Sequence, residues 1–261
     1  MATIIRHARS IAIALILLIA AVPACAEDFH FAAIADTHIA DESSAEIVRE
    51  AVAMIDADER IAFSLWLGDI TDRSTEPEFA IAKDMLEGLS RPWHPLRGNH
   101  DLRDGFYEEH FGSLNTRVEH EGWVFLLFDT NGPRETLVTE ETMAWLREQA
   151  ETIDPEAPVV LAAHHPLLLG GLIPLAGAPE ILALFDDLNL RAVLAGHIHT
   201  NQEHTRDGAL FTINVCCATT RGNIDHDPRR GYRLFHCKDG ELTTEFVTVR
   251  EIANGLPGDE E

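Results

Sequence analysis

The chain has 261 residues, 46% of them hydrophobic, which suits one sizeable globular domain or at most two small ones. Its formal charge of −24 disfavours polyanions and anionic membrane surfaces, yet leaves room for a small anionic ligand at a local cationic site. No repeat or low-complexity block is visible.

The first stretch stands apart. Arg6, His7 and Arg9 precede an apolar run from Ile11 to Val22, and Pro23 leads into Ala24-Cys25-Ala26. A basic segment, a short apolar segment and a small-residue cleavage motif read as a secretory signal over residues 1–26. That predicts an exported protein, periplasmic or secreted, starting near Glu27 and without a membrane span. An uncleaved anchor is the alternative, although the run is short for a span. Lipid attachment at Cys25 is another, and Pro23 fits it poorly. Losing Arg6 and Arg9 and no acid takes the charge from −24 to −26. Cys216, Cys217 and Cys237 then remain, an odd set that leaves at least one thiol unpaired in a monomer. Adjacent strand residues face opposite ways, so only one of Cys216 and Cys217 could meet Cys237; buried free thiols are the simpler reading.

From residue 27 to 256 the chain reads as one domain, with 257–261 an acidic, disordered tail. "FHFAAIAD" (29–36) predicts a buried strand. Ile47, Val48, Ala51, Val52 and Ile55 recur at helical spacing, with Ser43 and Ser44 as caps. "IAFSLWLGD" (61–69) is the next strand. Phe79, Ala82, Met85, Leu86 and Leu89 mark a helix, with Pro77 suited to its first turn. A short strand runs into Arg97, and "WVFLLFD" (123–129) is strongly strand-like. Residues 139–151 predict a helix, "PVVLAA" (158–163) a strand, 179–189 a helix and "RAVLAG" (191–196) a strand. "ALFTINV", "GYRLFHC" and "ELTTEFVTV" then follow as strands without helices between them. A βαβ-type first part and a strand-rich end predict an α/β fold: two packed mixed β-sheets flanked by helices, a four-layer α/β/β/α sandwich.

Chemically active residues gather just past strand ends. Asp36 and His38 follow the first strand, Asp69 ends the second, Asn99 and His100 follow the third, His164 follows 158–163, and His197 and His199 follow 191–196. In open α/β sheets that edge binds ligands. Carboxylates there would be costly in a dry core. Mixed imidazole, carboxylate and amide donors suit Zn, Mn or Fe. They are too many for one tetrahedral ion and about right for two ions sharing a carboxylate.

"ADTH" (35–38), "GDITD" (68–72), "GNHD" (98–101), "HHP" (164–166) and "GHIH" (196–199) together resemble the calcineurin-like metallophosphoesterases. Each motif alone is weak; the set, in the family's order, spans nearly the whole mature chain. The resemblance implies two divalent or trivalent ions, Fe, Mn or Zn. Asp36, His38 and His199 would bind one, Asn99, His164 and His197 the other, and Asp69 would bridge them. His100 would protonate the leaving oxygen or stabilise its charge, and Asp101 would orient His100, while metal-activated hydroxide attacks phosphorus. The family's usual Gly shortly after the second motif is absent, since Arg73 and Ser74 follow Asp72.

Other residues carry two readings. His165 reads as supporting or structural, and Asp72 as a turn residue or a supporting partner. "LLLGGLIPLAG" (167–177) is either a packed loop or an apolar wall for the leaving group. Arg73, Arg221, Arg229 and Arg230 are either solvated or placed around the mouth of the site. No Lys/Arg-rich helix appears, so the expected substrate is a small phosphoester, diester or monoester, and not nucleic acid. Against an enzyme stand a metal-binding scaffold without catalysis and a purely structural metal site. An intact His100 argues against the first, and an open ligand set against the second.

Overall fold

Phe29, Phe31 and Ala33 point into one layer and Ala32 and Ile34 into another, as period-two alternation requires of a strand buried on both faces. These residues form β1 (Phe29–Ile34) in a computed structural model that describes residues 28–170 and 172–252. The expected signal segment, Cys25 and the expected acidic tail lie outside the described residues.

The chain continues through α1 (Glu46–Ala57), β2 (Ile61–Leu67), α2 (Glu76–Glu87), β3 (Trp93–Leu96) and α3 (Phe106–Phe111). Next come β4 (Thr116–His120), β5 (Trp123–Phe128), α4 (Glu140–Thr152), β6 (Val159–Ala163) and a small hairpin of β7 (Leu168–Leu169) and β8 (Ile173–Pro174). It ends with α5 (Ala178–Leu182), β9 (Leu190–Ala195), β10 (Gln202–Arg206), β11 (Ala209–Ile213), β12 (Arg229–Lys238) and β13 (Glu241–Glu251).

One sheet has the order β13-β12-β1-β2-β3 and the other β10-β11-β9-β6-β5-β4. Strands β1, β2 and β3 are parallel, as are β5, β6, β9 and β11, while β4 and β10 add antiparallel edges to one sheet and the pair β12 and β13 extends the other antiparallel. Phe31, Phe63, Phe125 and Phe235 fill the space between the sheets. The helices α1 and α2 cover the first sheet through Val48, Ala51, Phe79 and Leu86, and α4 and α5 cover the second through Leu146 and Ile181. This is the expected four-layer sandwich.

Local differences have physical causes. Ser44 does not cap α1: its hydroxyl accepts from the N–H groups of Ala40 and Asp41, each at 2.9 Å, and so shapes the turn ahead of the helix. Pro77 does sit in the first turn of α2, where Thr75 and Glu78 form a capping box. The helix expected over 179–189 is only α5 and a 3-10 turn, Ala183–Phe185. Cys216, Cys217 and Cys237 are all buried and free. Cys217 packs in the α1-side core and Cys237 between the sheets, so they lie in different layers. Among the described residues no helix is long and apolar enough to cross a membrane.

Candidate metal centre

The loops that carry the predicted ligands are stitched to one another. Beyond β1 and β2, the N–H of Asp36 donates to Gly68 O (3.1 Å), that of His38 to Asp69 O (3.0 Å) and that of Ile39 to Ile70 O (2.9 Å). Gly98 then lies against this pair. A Cβ there would stand 2.1 Å from the Asp69 nitrogen and 2.2 Å from its Oδ1, so only glycine fits. Gly98 has φ −95, so its role is this close approach and not an unusual turn angle. Gly196 does the same for the second sheet, where a Cβ would stand 2.6 Å from Asp36 Oδ2.

Five expected ligands adopt left-handed backbone: Asp36 (φ 53), His38 (φ 41), Asp69 (φ 49), His197 (φ 69) and His199 (φ 48). For a residue with a Cβ this costs roughly 1–2 kcal/mol each. Such strain persists only where surrounding bonds overdetermine it, and it concentrates at functional sites.

The side chains converge as the sequence predicts. Donor atoms of Asp36, His38 and His199 lie within 4.8 Å of one another, as do those of Asp36, Asp69 and His164. Nε2 of His38 and Nε2 of His199 are 3.3 Å apart, and Asp36 Oδ1 is 3.4 Å from the latter. Asn99 Oδ1 is 3.1 Å from His164 Nε2, and the ring centres of His164 and His197 are 5.1 Å apart. Asp69 spans both groups: Oδ1 lies 3.3 Å from His164 Nε2 and Oδ2 3.7 Å from His38 Nε2.

This arrangement fits cations. Two imidazole nitrogens that face each other gain nothing unless a proton or metal lies between them. Ligands on a common ion at about 2.0–2.1 Å sit roughly 3–3.5 Å apart, which matches these spacings. Charge points the same way. Burial drives His38 down to about 3, although Asp36 and Asp69 oppose the shift. Burial also disfavours charge on His164 and His199, yet carboxylates override it. Asp69 and Asp36 lift His164 to about 9, and Asp36, with Cys216, lifts His199 to about 11. Without metal, the buried acids recruit protons onto these two imidazoles. Asp69 is held well below the usual carboxylate range: burial opposes this, but His164 and His38 dominate.

His100 sits at the edge of the cluster. Its backbone N–H donates to Asp69 Oδ1 at 2.7 Å, and its ring Nδ1 lies 2.6 Å from the carbonyl oxygen of Asp72. A carbonyl only accepts, so Nδ1 carries the proton and Nε2 is turned elsewhere. The residue that orients the ring is therefore Asp72, which replaces Asp101 in that role. The Asp101 carboxylate accepts from the N–H groups of Ile70 (3.1 Å), Thr71 (2.9 Å) and Gly98 (2.9 Å) and from the Thr71 hydroxyl (2.8 Å). It clamps the loop after β2 to the loop after β3.

The four arginines divide. Arg229 forks onto Asp227, and Arg230 is buried on the carbonyls of Ala218 and Arg221, so both are structural. Arg221 and Arg73 both reach Asp72, at 2.7 and 3.4 Å. Further residues support the cluster, His165 in the supporting place expected of it. Donor atoms of His165 lie within 4.8 Å of those of His164 and His197, and its Nδ1 pairs with Thr130 Oγ1 at 2.9 Å. Arg97 joins the buried Asp129 at 2.8 Å and so ties the tip of β3 to the tip of β5. Where the family's glycine is absent, Ser74 takes φ 56, and its hydroxyl accepts from the Arg103 N–H at 2.8 Å.

Residues 29–201 match the family model of the calcineurin-like phosphoesterases. A protein of Rhodococcus erythropolis named "Probable cyclic nucleotide phosphodiesterase" is 22% identical over 259 residues, covering 89% of this chain and 85% of its own. A glycerophosphodiester phosphodiesterase of Enterobacter lignolyticus is 25% identical over 204 residues, covering 69% of this chain and 73% of its own. Among solved structures, a dimetal phosphatase from Danio rerio shares the fold with a TM-score of 0.65 at 16% identity, over 87% of this chain and 99% of its own.

Proposed function

The chain belongs to the calcineurin-like phosphoesterase family and is a metal-dependent phosphoester hydrolase, and from that premise we propose that it hydrolyses small phosphodiesters outside the cytoplasm. The observation that carries this reading is the position of His100, whose backbone N–H is anchored on Asp69 while its ring Nδ1–H is held by the Asp72 carbonyl. The names of the relatives, cyclic nucleotide and glycerophosphodiester phosphodiesterases, favour diesters over monoesters.

Asp36, His38 and His199 would hold one ion, Asn99, His164 and His197 the other, and Asp69 would touch both. Such cations, when bound, offset the charge of the phosphate oxygens and acidify water near neutral pH. The rest falls to side chains. The Asp72 carbonyl fixes Nδ1–H of His100, so the imidazolium can give its Nε2 proton to the leaving oxygen and relax to the neutral Nδ1–H tautomer. Arg73 and Arg221 keep Asp72 in place.

The strongly acidic chain supports a small ester and disfavours nucleic acid. Purified protein reconstituted with Fe, Mn or Zn should cleave bis(p-nitrophenyl) phosphate faster than p-nitrophenyl phosphate. Turnover of neither by fully loaded protein would overturn the reading. Export rests on the basic–apolar–small pattern of residues 1–26. N-terminal sequencing of the exported fraction should begin at or near Glu27; recovery of Met1 there would count against cleavage.

A further inference from the structure

Two surface depressions flank the metal centre and meet at Leu102, whose side chain is 46% exposed. The smaller, about 300 Å³, contains His100 and Asn99. The larger, about 420 Å³, is walled by Leu102, Leu137, Leu175 and Ala176, with His165 inside it and Arg134 among its lining residues. Its volume falls within the roughly 300–1,000 Å³ usual for small-molecule sites. It adjoins the ligand cluster directly, because the His165 and His197 ring centres are 4.2 Å apart.

We propose that this larger cleft is the subsite for the retained organic arm of a phosphodiester, and that it selects an aromatic or heterocyclic arm with a hydrogen-bond acceptor at its outer edge. The inference rests on the phosphodiester reading above. In an in-line displacement the leaving oxygen departs opposite the attacking one. His100 marks the leaving side, which assigns the smaller depression to the departing group. A diester keeps a second substituent, and it must leave phosphorus in another direction. The cleft across Leu102 lies beside the same centre and is large enough to take it. A monoester has no such substituent.

The lining sets the chemistry of that arm. Four apolar side chains suit a flat ring, whereas a short polyol would lose water from its hydroxyls against Leu102, Leu137 and Leu175 and bury little apolar surface in return. Arg134 is exposed and takes part in none of the described ion pairs, so its guanidinium can meet a ring carbonyl or nitrogen at the outer edge.

The test compares two esters with the same leaving group, thymidine 5′-(p-nitrophenyl phosphate) and methyl p-nitrophenyl phosphate, on metal-loaded protein. The kcat/KM ratio should favour the thymidine ester at least tenfold in the native protein. Ala176→Trp, which fills the cleft from an exposed position, should bring the ratio down at least tenfold, and Arg134→Ala should lower it severalfold. The ratio cancels any general loss from metal content or folding. Calorimetry gives a second readout: Ala176→Trp should weaken thymidine 5′-monophosphate binding relative to inorganic phosphate. A ratio near one in the native protein, or one that both variants leave unchanged, overturns the subsite while the phosphodiesterase reading stands. Turnover of neither ester overturns that reading and this inference with it.

Discussion

Arg221 reaches Asp72 across 149 residues of chain, with Nη2 2.7 Å from Oδ1. The same Asp72 lends its carbonyl to His100 Nδ1. A residue on the loop before β12 thus steadies the proposed acid through an intermediary. We expect Arg221→Ala to lower kcat by about tenfold, short of the roughly 100-fold or greater effect of losing an acid–base group outright. Arg221→Lys should restore part of it, and metal content should be unchanged. A drop in bound metal would mean that Arg221 supports the ligand loops instead.

His100→Ala should keep its metals and lose turnover by roughly 100- to 10,000-fold. The loss should shrink as the leaving group becomes more acidic, because a better leaving group needs less protonation. A plot of log kcat against leaving-group pKa should therefore steepen in the variant, and parallel lines would remove His100 from the proton transfer.

Asp69→Ala should weaken both metal positions at once, because its two oxygens face the two histidine sets. Elemental analysis after dialysis should find substantially less than two ions per chain, whereas His199→Ala should chiefly empty one position. Retention of both ions by the Asp69 variant would dismiss it as a bridge.

Metal uptake should strengthen as pH rises. His164 and His199, at about 9 and about 11 in the absence of metal, hold protons that an incoming cation must displace. Below those values binding releases protons, so affinity increases with pH toward 9. Calorimetry in buffers of different ionisation enthalpy would reveal the release, and a pH-independent affinity between 6 and 9 would contradict it.

Gly98→Ala should be disproportionately harmful. The new Cβ meets Asp69 backbone, which cannot swing aside as a flexible side chain would. A loss of about 3 kcal/mol is expected, the upper part of the overpacking range. That corresponds to roughly 6–12 °C in Tm for a domain of this size. A variant that melts with the native protein would show that the two loops can part freely.

The ligands were legible because each follows an apolar run of strand length, and because the donor types make chemical sense only together. Less legible were contributions without a side-chain signature, including the way in which Asp72, readable as a supporting partner, gives its support. Asp72 acts on His100 through its carbonyl, which every residue possesses. Asp101 adjoins His100 in sequence but spends its carboxylate on backbone N–H groups. The left-handed backbone at His38, His197 and His199 follows from the meshing of loops from both sheets, not from residue preference. Strands β4 and β10 were missed because "TRVEH" and "QEHTR" are short and mostly polar, as suits sheet edges. The hairpin of β7 and β8 hid inside an apolar segment that gave no period.

Strand β1, made first, lies between β2 and β12. Lys238 at the end of β12 meets Asp28, 210 positions earlier. A nascent chain therefore cannot close its first sheet until β12, about 200 residues after β1, has been synthesised. The edge of β1 stays open through that interval, and loop closure over so long a span is slow. For a cytoplasmic enzyme the delay would be an aggregation hazard. Under the export proposed above, late closure would leave the polypeptide open enough to thread a translocation channel.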